Sequence, residues 1–274
     1  MLNLFRISFK KTNECLILVV PMVIFLSVLS WYFNFARFSV DEINKLIFAV
    51  ITLYVMFCGF LSSWLYLVKK VLDYSQKVFL FDKERIKNLQ NLALSLSKGV
   101  GRLFVPMMSA TALYLLIYSM IFYVANFFTT KYVGAIDFSE FNWKLLALSG
   151  SEFLKIINSL EPNEIKVLET WYLIMKISML FISFISILWI PEIVYSKKNA
   201  FVSLKNSICK VFLNFGKTIF LYFYIVLIIL LLAALNSIFF NSPFWAFLAI
   251  LLTYYFFVYI VVLLFTYYEQ NFDR

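Results

Sequence analysis

An apolar run from about residue 171 to 195 carries two ionisable side chains, Lys176 near its start and Glu192, after Pro191, near its end. A charge inside a bilayer is costly, so such residues are the first place to look for a substrate, ion or proton site. Lys176 lies within the first two turns of the run. From there a long side chain can carry its ammonium back to the acidic segment that precedes it, which makes it a snorkelling helix-end charge, with a substrate or ion role as the competing reading. Glu192 has Lys197, Lys205 and Lys210 close ahead in sequence and reads as a tether at the end of the same helix. The remaining candidates are cations on two amphipathic stretches: Lys83, Lys87, Lys98 and Arg102 on the first, Lys205, Lys210 and Lys217 on the second. A basic face next to an apolar one suits anionic lipid headgroups or a protein partner.

Other chemistry is thinned out by what the chain lacks. Histidine is absent from its 274 residues, which removes Ser-His-Asp and Cys-His nucleophiles, HExxH zinc sites and haem held by His. No pair of Asp residues falls in an apolar run, Gly150-Ser151-Glu152 is not a complete GxSxG elbow, and no phosphate-cradling loop of Walker type occurs. Ion-driven transporters place carboxylates or broken helices near the midplane, and the apolar runs show neither. Cys15, Cys58 and Cys209 have no CxxC spacing and are expected as free thiols. The expectation is therefore a non-enzymatic protein with no catalytic residues, no cofactor and no metal site. An enzyme would have to be built from carboxylates of the long polar loop described below.

The elements that position these residues follow from composition. With 63% of residues hydrophobic and 14% charged, water cannot be the main solvent, and 33 Phe with 17 Tyr suit a surface facing lipid and headgroups. Crossing a hydrocarbon core of about 30 Å takes about 20 apolar residues. Six runs qualify, at about 15–34, 46–68, 103–126, 171–195, 216–240 and 244–267. Asn236, Ser237, Asn241, Ser242 and Pro243 form a short polar break that makes the last two an antiparallel hairpin. Gly59, with Ser62 and Ser63 behind it, is expected to let helices approach closely. The fold class is thus all-α: a polytopic membrane protein forming a single domain over 1–274.

Most Lys and Arg fall before the first run, between the second and third, and between the fourth and fifth. By the positive-inside rule those segments and both termini are cytoplasmic, and the expected location is a bacterial cytoplasmic (inner) membrane. The basic start followed by the first run is read as a retained span, not a cleaved signal. The loop of about 127–170 is then external. Glu140–Leu148 and Ser151–Leu160 are expected as short amphipathic helices, Pro162 as a break and Asn163 as the cap of the next helix.

A threefold repeat organises the spans. Phe201, Leu204, Ile208, Val211 and Phe215 recur at helical spacing before the fifth span, Ile86, Leu89, Ala93, Leu96, Val100 and Leu103 before the third, and Leu2, Phe5 and Phe9 before the first. An offset of 85 lays Val20-Pro21-Met22 on Val105-Pro106-Met107 and Thr12 on Ser97, and a further 110 lays Ser97 on Ser207. The units, at about 1–70, 82–195 and 199–270, are each an amphipathic interfacial helix followed by a transmembrane hairpin. On Pro191-Glu192, Ser203 to Ser207, Lys210, Asn214-Phe215, Thr218 and the closing Tyr267-Tyr268-Glu269, the chain resembles bacterial six-span proteins of the glycerophosphodiester phosphodiesterase membrane-domain type. The resemblance implies a membrane domain and carries over no catalytic residues.

Together these readings point to an envelope or lipid-homeostasis role exercised through basic interfacial helices. The expected partners are anionic membrane lipids, with a protein partner or a second copy as further candidates and nucleic acid excluded. The alternative is a transporter or permease subunit for an apolar or lipid-like substrate.

Overall fold

The structure is a computed structural model that describes residues 1–39, 42–75, 82–134, 162–196, 198–239 and 242–272, with 37–39, 75, 82–90 and 93 described in backbone only. All elements among these residues are helical: α1 Leu2–Glu14, a 3-10 turn Leu16–Leu18, α2 Val19–Ser39, α3 Ile43–Ser75, α4 Asp82–Tyr132, α5 Pro162–Ile185, α6 Trp189–Ser196, α7 Ala200–Leu213, α8 Phe215–Phe239 and α9 Pro243–Phe272. Six stretches are long and apolar enough to cross a membrane: Leu16–Ala36, Ile43–Tyr74, Leu94–Tyr132, Pro162–Ser196, Phe215–Phe239 and Pro243–Phe272. The protein is an all-α, multi-span membrane protein. The three cysteines are free, Cys15 and Cys58 buried and Cys209 exposed.

Prolines explain two of the helix breaks. The turn Leu16–Leu18 lies three to five residues before Pro21, and the interruption at 186–188 lies three to five before Pro191. Proline lacks the N–H that would reach back four residues, and its ring crowds that carbonyl. The chain answers with tighter three-residue bonds, Leu18 N–H to Cys15 O at 3.0 Å and Trp189 N–H to Ser186 O at 2.9 Å. Pro106, in the matching Val-Pro-Met, produces no such break: α4 runs unbroken for 51 residues, so the expected interfacial helix of 82–102 is continuous with the third span. At the first of the two Val-Pro-Met sites Trp64 Nε1 also donates to Leu18 O at 2.9 Å, tying the end of the turn to α3.

Contacts divide the chain into two compact units, residues 1–111 with 184–274, and residues 112–183. In the first unit burial is graded along the helices. Trp64 to Val68, Val71 and Leu72 near the end of α3, Val258 to Tyr268 toward the end of α9, and Thr218, Leu221 and Ile225 at the start of α8 supply much of its core. At the opposite ends Trp31, Phe35, Phe48, Phe244 and Trp245 stand exposed. Such a surface is untenable in water and ordinary against lipid. The fifth and sixth spans pair as the expected hairpin, with Asn236 Nδ2 donating to Thr253 Oγ1 at 2.9 Å.

Close helix approach occurs at Gly99, not at Gly59. A Cβ on Gly99 would sit 2.9 Å from the Ser62 carbonyl oxygen and the Ser63 Cα, whereas one on Gly59 would meet nothing nearer than a Phe104 ring atom at 4.0 Å. Small residues matter where backbones touch, and in this unit α4 meets α3 at Gly99.

In the second unit Phe122 packs edge-on against Trp171 at 5.3 Å. Helix α4 ends at Tyr132, and Gly134 two residues on has a φ of 143° that excludes most side chains, with its N–H reaching Thr129 O at 3.1 Å. Helix α5 begins with Pro162 itself, a favoured first helical residue because its missing N–H would be unsatisfied there anyway. Asn163 therefore lies inside the helix and is not its cap. Glu140–Leu148 and Ser151–Leu160 fall outside the described residues.

Candidate functional site

The polar centre of the first unit gathers residues from α1, α3, α6, α7 and α9. Glu192 occupies the first turn of α6, where the helix dipole favours a carboxylate, and is only 2% exposed. Its Oε2 accepts from Lys210 Nζ at 2.5 Å and from the Tyr268 hydroxyl at 2.6 Å, and its Oε1 accepts from Asn206 Nδ2 at 3.2 Å. Lys210 also donates to the Tyr268 oxygen at 2.5 Å and lies 4.5 Å from that ring's centroid. Asn206 and Lys210 are four residues apart, so both project from one side of α7. Three helices thus meet on one carboxylate.

A second carboxylate adjoins the first. Tyr268 and Glu269 are consecutive on α9 and so point about 100° apart, one toward α7 and the other toward α1. Glu269 Oε1 accepts from the Tyr195 hydroxyl at 2.5 Å, and its Oε2 lies 3.4 Å from Lys11 Nζ. The Tyr195 ring stacks on Tyr268 at 5.1 Å, and Lys69 Nζ lies 4.1 Å from the Tyr195 centroid. Below this layer Thr218 and Tyr267 share a hydrogen bond of 2.9 Å. Because Lys11 pairs with Glu269, the two ends of the chain lie on the same side of this unit.

These contacts satisfy both carboxylates with hydrogen bonds from lysine, tyrosine and asparagine. The arrangement fastens helices by charge. Of the three lysines considered for Glu192, the structure selects Lys210. Asn206, Tyr195, Tyr268, Lys11 and Lys69 were not among the candidates, although Tyr268-Glu269 and Pro191-Glu192 were noted as motifs; hydroxyls and carboxylates ending an otherwise apolar helix were the available signal.

Helix α7 has three faces instead of the two that amphipathic spacing implies. Ala200, Ser203, Ser207 and Val211 are buried at 0–1% exposure, Asn206 and Lys210 turn toward Glu192, and Phe201, Lys205, Cys209 and Phe212 are exposed together. In α1, Ser8 and Thr12 are likewise 0% exposed, matching Ser203 and Ser207 at the combined offset of 195. The expected counterpart in α4 does not keep that register: Ser97 is exposed, while Ser95 and Gly99 are buried.

Among the other candidates, Lys98, Lys205 and Lys217 are exposed, as is Arg102, whose Nη1 donates to the Tyr66 hydroxyl at 3.3 Å. The side chains of Lys83 and Lys87 fall outside those described. Lys176 is exposed on α5 with its Nζ 5.7 Å from the Tyr172 centroid, one turn back toward the helix start, the direction snorkelling requires. Searches of protein-family models, curated proteins and solved structures found no match to this chain.

Proposed function

We propose that this chain is a non-enzymatic protein of a bacterial inner membrane, termini inside, that recognises anionic lipid headgroups through its interfacial helices and serves envelope or lipid homeostasis. The observation that carries the reading is the outward face of α7 and the start of α8. Lys205 and Lys217 are exposed beside Phe201, Phe212 and Phe215, whose exposures are 68%, 58% and 47%. Aromatic rings at the acyl boundary with ammonium groups at headgroup level suit a membrane surface. Lys210 is engaged by Glu192 and is not part of that face. The resemblance to glycerophosphodiester phosphodiesterase membrane domains belongs to the same proposal and brings no catalytic group with it.

Each lysine near an anionic leaflet contributes about 1 kcal/mol of attraction. Replacing Lys205 and Lys217 by Gln should therefore weaken preference for phosphatidylglycerol over phosphatidylcholine by about 2 kcal/mol, or roughly 30-fold, in low salt. Native mass spectrometry or spin-labelled lipid competition reads this directly. An unchanged preference in the double variant overturns the proposal.

A transporter or permease subunit is the second reading. An open groove of about 390 Å³ lined by Tyr32, Phe35, Ala36, Phe48, Ala49 and Thr52, with Asn44 and Lys45 beside them, favours it. Apolar substrate flux in proteoliposomes, blocked by Ala49→Trp, would support that reading over the first.

A further inference from the structure

We infer that Glu192 is a positioning residue that sets which face of α7 meets the membrane surface. The inference rests on the headgroup reading for its effect on lipid choice, but its geometry stands apart from it. Two stripes run along α7. Phe201, Lys205, Cys209 and Phe212, spaced by four, four and three residues, form the exposed stripe, while Ser203, Asn206, Ser207 and Lys210 form the inward one. Glu192 holds the inward stripe at Asn206 and Lys210, and Tyr268 closes the triangle.

Apolar burial selects this face only weakly, through Ala200 and Val211. The buried residues are Ala200, Ser203, Ser207 and Val211, small side chains, while Phe201, Phe212 and Leu213 are 58–78% exposed. In lipid the phenylalanines gain little by turning inward, because acyl chains cover them as well as protein does. A helix docked through small residues needs polar contacts to set its rotation. The indole of Trp189 anchors the start of α7 through the Ala200 carbonyl at 2.8 Å, and Glu192 holds its second and third turns. A helix positioned by charge is free to roll when that charge is removed, exchanging the stripe that carries Lys205 for the one that carries Lys210.

Cys209 makes the test direct. It is the exposed cysteine, on the same stripe as Lys205, while Cys15 and Cys58 are buried at 0%. A nitroxide on Cys209 of the full chain, reconstituted in vesicles of phosphatidylglycerol and phosphatidylcholine, should be restricted and at a single depth. In Glu192→Gln its motion should rise, and its ratio of oxygen to nickel-chelate accessibility should shift several-fold. Preference for phosphatidylglycerol should fall although no exposed cation has been removed. The exchanged pair Glu192→Lys with Lys210→Glu should recover both signals, which a general loss of packing would not permit. Tyr268→Phe, which deletes one hydroxyl, should move the signals in the same direction by less, and it serves if Glu192→Gln does not fold. A Cys209 response to Glu192→Gln combined with a lipid preference indifferent to Lys205→Gln and Lys217→Gln keeps the positioning role and removes the headgroup reading. A Cys209 label unchanged in both Glu192→Gln and Tyr268→Phe overturns the inference.

Discussion

Helices α1 and α7 bury hydroxyl residues at matching positions, Ser8 and Thr12 against Ser203 and Ser207, yet different forces hold them. Phe5 of α1 stacks on Tyr224 with centroids 4.1 Å apart, and Phe9 lies edge-on to Tyr255 and Tyr259 at 6.1 Å. The Ser8 hydroxyl is buried with no hydrogen-bond partner among the described residues, and the Lys11–Glu269 pair is 3.4 Å long with side chains 16% and 17% exposed. Helix α7 turns its phenylalanines away and is gripped by Lys210–Glu192 at 2.5 Å, with the carboxylate 2% exposed. Aromatic packing persists whatever the charge state, whereas a buried ion pair fails when either member is lost. One helix is thus held mainly by aromatic packing, and the other leans more heavily on a buried carboxylate.

The largest effect should come from Glu192→Ala. It leaves the Lys210 ammonium, with its side chain 23% exposed, beside a buried hydroxyl and without its counter-charge, a loss of about 1.5–3 kcal/mol. Thermal unfolding in detergent should show that loss, with hydrogen exchange quickened across 200–213 and little changed across 2–14. Equal quickening in both helices would erase the contrast between them.

Phe5→Ala should be smaller and opposite in location. Removing the stacked ring costs about 1–2 kcal/mol of aromatic contact and packing and should quicken exchange in 2–14 while 200–213 stays protected. Smallest of all should be Lys11→Met. Its pair is longer and partly solvated, so the loss should be about 0.2–1 kcal/mol in low salt and should vanish in high salt. A cost for Lys11→Met as large as that for Glu192→Ala would show that α1 too is held by charge.

Hydropathy was enough to read the six spans, because an apolar run of bilayer length has few other soluble fates, and the described helices fall on all six runs. Free thiols were legible from spacing, and a tether at Glu192 from its place after Pro191 at the end of a span. Three details were not legible. The same Val-Pro-Met has a break before Pro21 and none before Pro106, so the tripeptide alone does not set the backbone there. Gly59 stands out in sequence by its place inside a span ahead of Ser62 and Ser63, although backbone contact occurs at Gly99. Lys205 and Lys210 look alike in sequence, five residues apart on one basic helix, yet one faces outward and the other is drawn into a buried triangle.

Composition and periodicity by themselves determined that this chain lives in a bilayer as an all-helical, six-span protein with amphipathic segments flanking its spans, because transfer from water to lipid depends on each residue's own chemistry and position along a helix. The tertiary structure alone decided which lysine answers Glu192, which tyrosines join it and which face of α7 remains outside. Those choices depend on distances of a few ångströms between groups up to 76 residues apart, such as Tyr268 and Glu192. A buried charge is stabilised only where another helix brings its partners within hydrogen-bond reach.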